Sequence, residues 1–306
     1  MEFALQSEGT YQDVLAAARL AEDLGLAAFA TADHYLYESP TAGVVGLPDS
    51  FALLAGLARE TSRIELATLV SPITFRHPAV LAKLAATIDQ MSGGRFSLGV
   101  GTGWMEVEHQ ALGIPFPPLG ERFERLEEAL IYLRAAFGKA EGGFEGRHYR
   151  LGSSGLQPQP AGPMRLIVGG NGPRRTPRLA GAYADEYNQL TEVPAVLAER
   201  IGRARAAAER AGRDPTSLRI SVAGPVVVGR DERVYGDRLA EAAAARGRRP
   251  EELEERLRRR GVPLGTAAAA RRVLDDMAEA GVDRFYLQGF ASGDPAETLN
   301  LLTSTT

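Results

Sequence analysis

The stretch RIELATLVSPITFRHPAVLAKLAATIDQMSGGRFSLGVGTGW, residues 63–104, contains one complete strand–helix–strand unit. Residues 63–71 (RIELATLVS) contain apolar and β-branched residues and predict a strand. Pro78 then stands where a first-turn proline belongs. One apolar helical face follows it, at Leu81, Leu84, Ile88 and Met91. A turn at Ser92-Gly93-Gly94 leads into a second strand, residues 95–103, so the stretch predicts a βαβ unit of parallel strands.

The same alternation extends outward in both directions. Strands are predicted at Glu2–Gln6, Leu26–His34, Arg63–Ser71, Arg95–Gly103, Arg165–Gly169, Asp185–Leu190, Arg219–Val228 and Asp283–Phe290. Helices are predicted at Tyr11–Leu24, Ser50–Thr61, from Pro78, and at Glu121–Phe137, Arg174–Tyr183, Val196–Ala211 and Thr266–Ala280. Eight βα units in a chain of this length are typical of a (β/α)8 TIM barrel, with an open doubly wound sheet as the alternative. No change of composition divides residues 1–306, so we expect one domain.

Residues 231–263 interrupt this rhythm. They include RGRRPEELEERLRRRG, residues 246–261, which could be a basic arm for nucleic acid. Glutamate and arginine lie four apart at three places, however, so their charges can neutralise one another along an exposed helix. These pairs are Glu252/Arg256, Glu254/Arg258 and Glu255/Arg259. The segment is therefore predicted to be an insertion after strand seven, which could cover the barrel mouth as a lid.

Composition excludes several classes of function. The 306 residues carry a net charge of −4 and no cysteine, which argues against a nucleic-acid binder and excludes disulfides, thiolate metal sites and cysteine nucleophiles. Four histidines leave little material for a metal site, and none is predicted. No apolar run is long enough to span a membrane, and the N-terminus does not resemble a signal peptide. We expect a cytoplasmic protein with neither a nucleic-acid nor a membrane partner.

Two candidate sites lie at predicted strand ends, where barrel enzymes form their active sites. Asp33-His34 ends strand two, and a histidine there can exchange a proton near neutral pH, although it could equally be hydrogen-bonded in a loop. Arg76-His77-Pro78 opens the helix after strand three and could hold an anion. For this second motif we favour a structural reading, with Pro78 starting the helix and Arg76 in an ion pair.

Two further candidates are rich in glycine. GVGTGW, residues 99–104, alternates glycines out of strand four, which would let a planar ligand approach the backbone. It is not a dinucleotide fingerprint, because Trp104 replaces the third glycine; Trp104 is either a core residue or a pocket wall. VGGNGPRRT, residues 168–176, ends strand five and opens a helix, which suits a phosphate, although a turn without a ligand is the alternative.

Other catalytic patterns do not stand out. Glu106 and Glu108 are predicted to share one loop, but acidic pairs are common in loops, and no protease, esterase or nucleotide-binding motif occurs. The residues by themselves thus predict a barrel enzyme with an anionic, planar cofactor and nothing more specific.

The chain resembles the luciferase-like flavin and deazaflavin oxidoreductases, in particular the branch that depends on coenzyme F420. The stretches that carry the resemblance are DHYLY (33–37), residues 63–104, EHQALGIPFPPLGERFERLEEAL (108–130), FEGRHYRL (144–151), LIVGGNGPRRTPRLAGAYADEYN (166–188) and GTAAAARRVLDDMAEAGVD (265–283). RHPAVLAK followed by SGGRFSLGVGTGW is specific for the superfamily. It separates coenzyme F420 from FMN less well.

The resemblance implies a barrel with an insertion, usually dimeric, with the deazaflavin in its mouth. Asp33 and His34 would face the ring system, and the loop after strand five would hold the phosphate through Gly170, Asn171 and Gly172. Members of the family also have a non-proline cis peptide bond at the end of strand three, here expected near Thr68–Leu69. The remaining cofactor contacts implied are Thr68, Leu69, Ser71, Gly103 and Trp104.

The chain also departs from the branch that oxidises a sugar phosphate. That branch has a glutamate directly after GTG, where this chain has Trp104, and a tryptophan where this chain has Glu38. Its lysine clamp cannot come from Lys83 or Lys139, so that substrate is disfavoured.

The expected function is hydride transfer between coenzyme F420 and an unidentified small organic substrate, with His34 as proton donor or acceptor. The alternatives are an FMN-dependent two-component monooxygenase of the alkanesulfonate type and a non-catalytic flavin-binding barrel.

Overall fold

A computed structural model describes residues 1–39, 43–138, 143–152, 156–288 and 294–303. The strands are β1 (Glu2–Gln6), β2 (Ala28–Thr31), β3 (Leu36–Ser39), β4 (Gly43–Gly46), β5 (Glu65–Thr68), β6 (Ser71–Pro72), β7 (Phe96–Gly101), β8 (Phe144–Glu145), β9 (Arg150–Leu151), β10 (Arg165–Gly169), β11 (Glu186–Leu190), β12 (Arg219–Gly224), β13 (Val227–Gly229), β14 (Leu264–Thr266) and β15 (Arg284–Gln288). Lys139, and residues 289–290 of the last predicted strand, lie outside the described residues.

Helices alternate with these strands along the chain. They are α1 (Tyr11–Asp23), α2 (Ser50–Glu60), α3 (Pro78–Ser92), α4 (Glu106–Leu112), α5 (Leu119–Phe137), α6 (Arg175–Tyr183), α7 (Pro194–Arg210), α8 (Glu232–Ala244), α9 (Pro250–Arg259), α10 (Ala267–Glu279) and α11 (Pro295–Thr303). The described helices include none that is both long and apolar enough to cross a membrane.

Eight parallel strands close into a barrel, which confirms the predicted fold class. In order around the barrel they are β1, β2, β5, β7, β10, β11, β12 and β15. The pairing of β10 with β7 joins the two halves of the barrel, and the pairing of β15 with β1 closes it, with Glu2 opposite Arg284. The open-sheet alternative is therefore wrong.

Side-chain alternation along the strands explains the two cores. On β2, Ala28 and Ala30 belong to a small cluster inside the barrel, whereas Phe29 belongs to the large cluster between barrel and helices. The inner cluster consists of Ala4, Ala28, Ala30, Ala67, Leu69, Ile167, Ala223 and Tyr286. Its five alanines suit the narrow interior of an eight-stranded barrel, which Leu69, Ile167 and Tyr286 help to fill.

A buried ionic cluster closes the end of the barrel where the strands begin. The Arg284 side chain is 3% exposed and donates to Glu2 at 2.9 Å and to Glu65 at 3.0 Å. Burial raises the pKa of Glu186, and the charge of Arg284, 3.5 Å away, opposes that effect. The cluster occupies the end of the barrel where the strands begin, and the carboxyl ends of the strands, where barrel enzymes form their active sites, lie at the opposite end.

Residues 231–263, which follow the seventh barrel strand, contain α8 and α9. The short strands β13 and β14 flank them and pair in parallel. The segment has its own apolar cluster, formed by Val227, Tyr235, Leu239, Ala242, Ala243, Leu253, Leu257, Val262 and Leu264. Glu254 and Glu255 pair with the arginines four residues on, as expected, but Glu252 pairs with Arg249 rather than with Arg256.

Candidate active site at the barrel mouth

The carboxyl ends of β2, β5, β7 and β10 bring most of the predicted site residues to one end of the barrel. His34 lies three residues beyond β2, and its side chain is 18% exposed. The segment that follows β7 carries Trp104 and then α4, which the sequence analysis wrongly predicted as a loop. Helix α4 ends at Gly113, whose φ of 68° places it in the left-handed region that terminates helices.

A buried carboxylate holds the imidazole of His34. His34 Nδ1 lies 3.0 Å from Glu108 Oε1, and Glu108 Oε2 accepts a hydrogen bond from the Tyr35 amide at 3.1 Å. Glu108 is fully buried on α4. Since both carboxylate oxygens are engaged with the segment after β2, Glu108 fixes the orientation of the histidine ring. No hydrogen bond to His34 Nε2 is found within the described ranges, so this nitrogen can exchange a proton with a ligand.

The surroundings of His34 raise its pKa. Burial by itself lowers the pKa, but the hydrogen bond and charge of Glu108 act in the opposite direction, with additional contributions from Glu8 and Asp33. The net shift is upward, so more than the usual fraction of His34 is protonated at neutral pH. A protonated imidazole beside a buried carboxylate can act as a general acid.

We expect Glu108→Gln to lower the pKa of His34, because burial is then opposed only by the charges of Glu8 and Asp33. NMR titration of the His34 ring proton measures this. The raised pKa stabilises the folded protein below the unfolded-state pKa, and this stability is lost as pH rises through the folded-state value. The variant should therefore lose stability at pH 5 relative to pH 8. An unchanged His34 titration would show that Glu108 does not control this histidine.

Trp104 forms an exposed wall beside this pair. Its side chain is 71% exposed, and its ring meets that of His34 edge to face, with centroids 5.8 Å apart. The interpretation of Trp104 as a core residue is therefore wrong.

The side chain of Asp33 is directed into the protein. It is fully buried and accepts hydrogen bonds from Ser50 Oγ at 2.8 Å and from Ser71 Oγ at 2.6 Å. Arg76 pairs with Asp33 and also with Asp49, which confirms the predicted structural ion pair. Asp33 and Ser71 remain predicted cofactor contacts, but their polar side-chain atoms are already engaged with one another and with Arg76.

The two neighbouring histidines have structural roles. His77 Nδ1 accepts the Ala79 amide at 3.1 Å and so caps α3. His109 is fully buried, with Nε2 2.7 Å from Thr74 Oγ1 and Nδ1 2.8 Å from the Met105 carbonyl oxygen.

The glycines of β7 make room for Val70 rather than for a ligand. A Cβ atom on Gly99 would lie 2.0 Å from the Thr68 carbonyl oxygen, and one on Gly101 would lie 2.9 Å from Val70 Cγ2. A Cβ atom on Gly169 of β10 would lie 2.7 Å from Val70 Cγ1. The prediction that Gly99 and Gly101 admit a planar ligand is wrong, because the Val70 side chain fills that space.

The end of β5 also carries the expected cis peptide bond, at Leu69–Val70, one residue later than predicted. The Thr68 hydroxyl is fully buried and bonds to the Gly99 carbonyl oxygen at 3.1 Å. The Leu69 carbonyl oxygen accepts from Gln6 at 3.1 Å. Gly103 has a φ of 75°, and its carbonyl oxygen accepts from Arg122. Whether Thr68, Leu69 and Gly103 contact a cofactor stays a prediction.

The loop after β10 has the features of an anion site. The Gly170 amide donates to the backbone carbonyl oxygen of Asn188 at 3.0 Å, and Asn171 Oδ1 accepts from the Leu190 amide at 2.9 Å. These two hydrogen bonds hold the loop against β11. A Cβ on Gly172 would lie 2.7 Å from Thr176 Oγ1, so only glycine leaves this gap open. Helix α6 begins directly afterwards without a side-chain cap, which leaves its first amides for a ligand.

Sequence reasoning missed Thr176 and Glu108. Thr176, 4% exposed in the first turn of α6, places its hydroxyl beside Gly170 and Gly172. A hydroxyl in the first helical turn after a glycine-rich loop was the available signal. Glu108 had no comparable signal, because its partner His34 lies 74 residues away in sequence.

The barrel places a His–carboxylate pair and a glycine-rich loop at the end where (β/α)8-barrel enzymes form their active sites. The model of the luciferase-like monooxygenase family matches residues 2–303, so the chain belongs to this family.

Curated relatives include the pyrimidine monooxygenases RutA of Enterobacter cloacae and Escherichia coli. Both are 34% identical over 172 residues, which is 54% of this chain and 47% and 44% of the respective relatives. The chain thus spans about half the length of the curated relatives it matches.

Solved structures show the same fold across nearly the whole chain. An F420-dependent secondary alcohol dehydrogenase with an F420–acetone adduct has a TM-score of 0.82 at 21% identity, covering 99% of both chains. The monooxygenase RslO1 from Streptomyces bottropensis has a TM-score of 0.79 at 22% identity, covering 97% of this chain and 94% of that one. The FMN complex of a Pseudomonas putida Baeyer–Villiger monooxygenase has a TM-score of 0.75 at 18% identity, covering 99% and 97%.

Proposed function

We propose that this chain is an oxidoreductase that transfers a hydride between coenzyme F420 and a small organic substrate at the barrel mouth. The observation that carries the proposal is the His34–Glu108 pair beside the exposed ring of Trp104, which supplies a proton-exchanging group where a cofactor ring would lie. The sequence resemblance to the F420-dependent branch favours the deazaflavin. We also propose a homodimer, which the same resemblance implies, located in the cytoplasm.

The residues at the mouth fit such a cofactor. Gly170, Asn171 and Gly172, with the hydroxyl of Thr176 and the uncapped start of α6, would hold the phosphate. Val70, which is partly exposed and sits among the glycines of two strands, would support the ring from behind. When bound, the deazaflavin supplies two-electron hydride chemistry.

The protein contributes proton transfer and positioning. Glu108 holds Nδ1 of His34, so Nε2 would donate a proton to the substrate oxygen or nitrogen that becomes negative as the substrate is reduced. In the reverse direction the neutral ring would accept that proton. Trp104 would cover the substrate side and exclude water, which favours small substrates over extended ones.

FMN is the second candidate cofactor, because the curated relatives are monooxygenases and because the same loop could hold the phosphate of FMN. The enzyme would then act with oxygen and a partner reductase. A flavin-binding barrel without turnover is the remaining alternative.

Titration with each cofactor, followed by fluorescence quenching, tests the proposal. We expect micromolar binding of coenzyme F420, and at least tenfold weaker binding (about 1.4 kcal/mol) by Gly172→Ala, whose new methyl group would meet Thr176. Gly162→Ala is the matched control, because no atom lies within 4 Å of its Cβ position. If FMN binds with micromolar affinity and coenzyme F420 does not bind, FMN is the cofactor and the proposal of a deazaflavin is wrong. Binding of neither would overturn the assignment.

A further inference from the structure

The exposed side of α9 forms a shallow groove rich in arginine. Arg248, Glu252, Glu255, Arg256, Arg259 and Arg260 line this groove of about 610 Å³, which we call the arginine groove. Its position on α9 follows from the helix's amphipathic pattern, because Leu253 and Leu257 on the other side are buried in the core of the insertion. The groove therefore faces solvent.

Positive charge exceeds negative charge in the arginine groove. Glu255 pairs with Arg259, and Glu252 pairs with Arg249 just outside it. Within the described part of the chain, Arg248, Arg256 and Arg260 form no ion pair with a carboxylate, and all three are exposed. This excess of arginine over glutamate, in a protein of net charge −4, fits an anionic ligand.

The groove adjoins the candidate phosphate loop. Gly261, next to Arg260, lies against the backbone of Glu192. A Cβ atom added to Gly261 would be only 2.4 Å from the Glu192 carbonyl oxygen. Glu192 follows β11 by two residues, and the amide of Leu190 at the end of β11 is bonded to Asn171 of the phosphate loop. The C-terminal end of α9 therefore lies at the rim of the barrel mouth, beside the loop after β10.

We propose that the arginine groove binds the oligoglutamate tail of the deazaflavin cofactor; this inference rests on the proposed function. Coenzyme F420 continues beyond its phosphate into a chain of carboxylates, whereas FMN ends at the phosphate. Guanidinium groups pair with carboxylates through two parallel hydrogen bonds. Exposed pairs of this kind are individually weak and sensitive to salt. A tail whose carboxylates pair with several arginines therefore gains a measurable affinity that one carboxylate would not provide.

Equilibrium binding of two deazaflavin forms tests the proposal. One form carries several glutamates, and the other lacks them. We expect the tailed form to bind about tenfold more tightly to the wild type. The triple variant Arg248→Gln/Arg256→Gln/Arg260→Gln should lose that advantage and bind the tail-less form as the wild type does. In the wild type, 1 M salt should reduce the advantage of the tailed form over the tail-less form. Arg210→Gln, an exposed arginine at the far end of α7, is the control and should change neither form.

Equal binding of the two forms by the wild type would overturn the tail site and leave the proposed function standing. If the triple variant keeps its melting temperature but binds both forms equally more weakly, the tail site would also be overturned. The arginines would then act on the part of the cofactor that the two forms share. Failure of both forms to bind the wild type would instead remove the proposed function itself.

Discussion

Replacing His34 with glutamine is expected to slow hydride transfer by about 10²–10⁴-fold, the usual contribution of a positioned acid or base. Glutamine can still form a hydrogen bond to Glu108, but it cannot exchange a proton near neutral pH. Cofactor binding should stay within about twofold, because the contacts that would hold the phosphate lie in the loop after β10. The measurement is single-turnover absorbance of the reduced deazaflavin, with the fastest substrate from a panel of ketones, imines and activated alkenes.

The control for this prediction is His148→Gln, because His148 lies beside Glu124 on the β8–β9 hairpin rather than at the mouth. It should react like the wild type. If His34→Gln and His148→Gln react equally fast, His34 has no role in proton transfer. The pH profile adds a second readout, since the limb due to His34 should disappear in its variant and shift to lower pH in Glu108→Gln.

The second large effect is expected for stability. Gly99→Ala should destabilise the protein by about 3 kcal/mol, the upper part of the range for overpacked cores, because its methyl group would lie 2.0 Å from the backbone oxygen of Thr68. Neither atom can rotate away, since both belong to the closed barrel. Urea denaturation, with the thermal midpoint as a check, measures the loss.

Gly46→Ala is the matched control for Gly99→Ala. Gly46 lies on the β3–β4 hairpin, and no atom lies within 4 Å of its Cβ position. Its variant should unfold within about 0.5 kcal/mol of the wild type, as surface substitutions usually do. If the two variants are equally stable, the close approach of the Thr68 carbonyl oxygen to Gly99 does not constrain the barrel, and the prediction is wrong.

The fold could be predicted because each barrel strand carries a local signal. Glu2–Gln6 and Arg165–Gly169 were predicted with the observed bounds, since each is a short apolar run between polar or glycine residues. The helices were found through their apolar spacing, as in α5. Helix α4 was missed because seven residues with one exposed valine and two acids carry too little periodicity to be distinguished from a loop.

The candidate site was predicted less completely, because its geometry depends on contacts distant in sequence. Asp33-His34 could be selected by position, but the partner that tunes the pKa of His34 could not. The glycines of β7 were recognised as meaningful and wrongly assigned to a ligand. A glycine shows that something comes close, and only the structure shows that it is Val70.

The pairing of β1 with β15 has a consequence for how this chain is made. Residues 2–6 find their partners only at residues 284–288, so the first strand has an unpaired edge until almost all of the chain has left the ribosome. At ordinary rates of synthesis this wait lasts roughly 15–60 s. During that interval β1 is open to pairing with strands of other chains, which makes aggregation during synthesis a hazard for this fold.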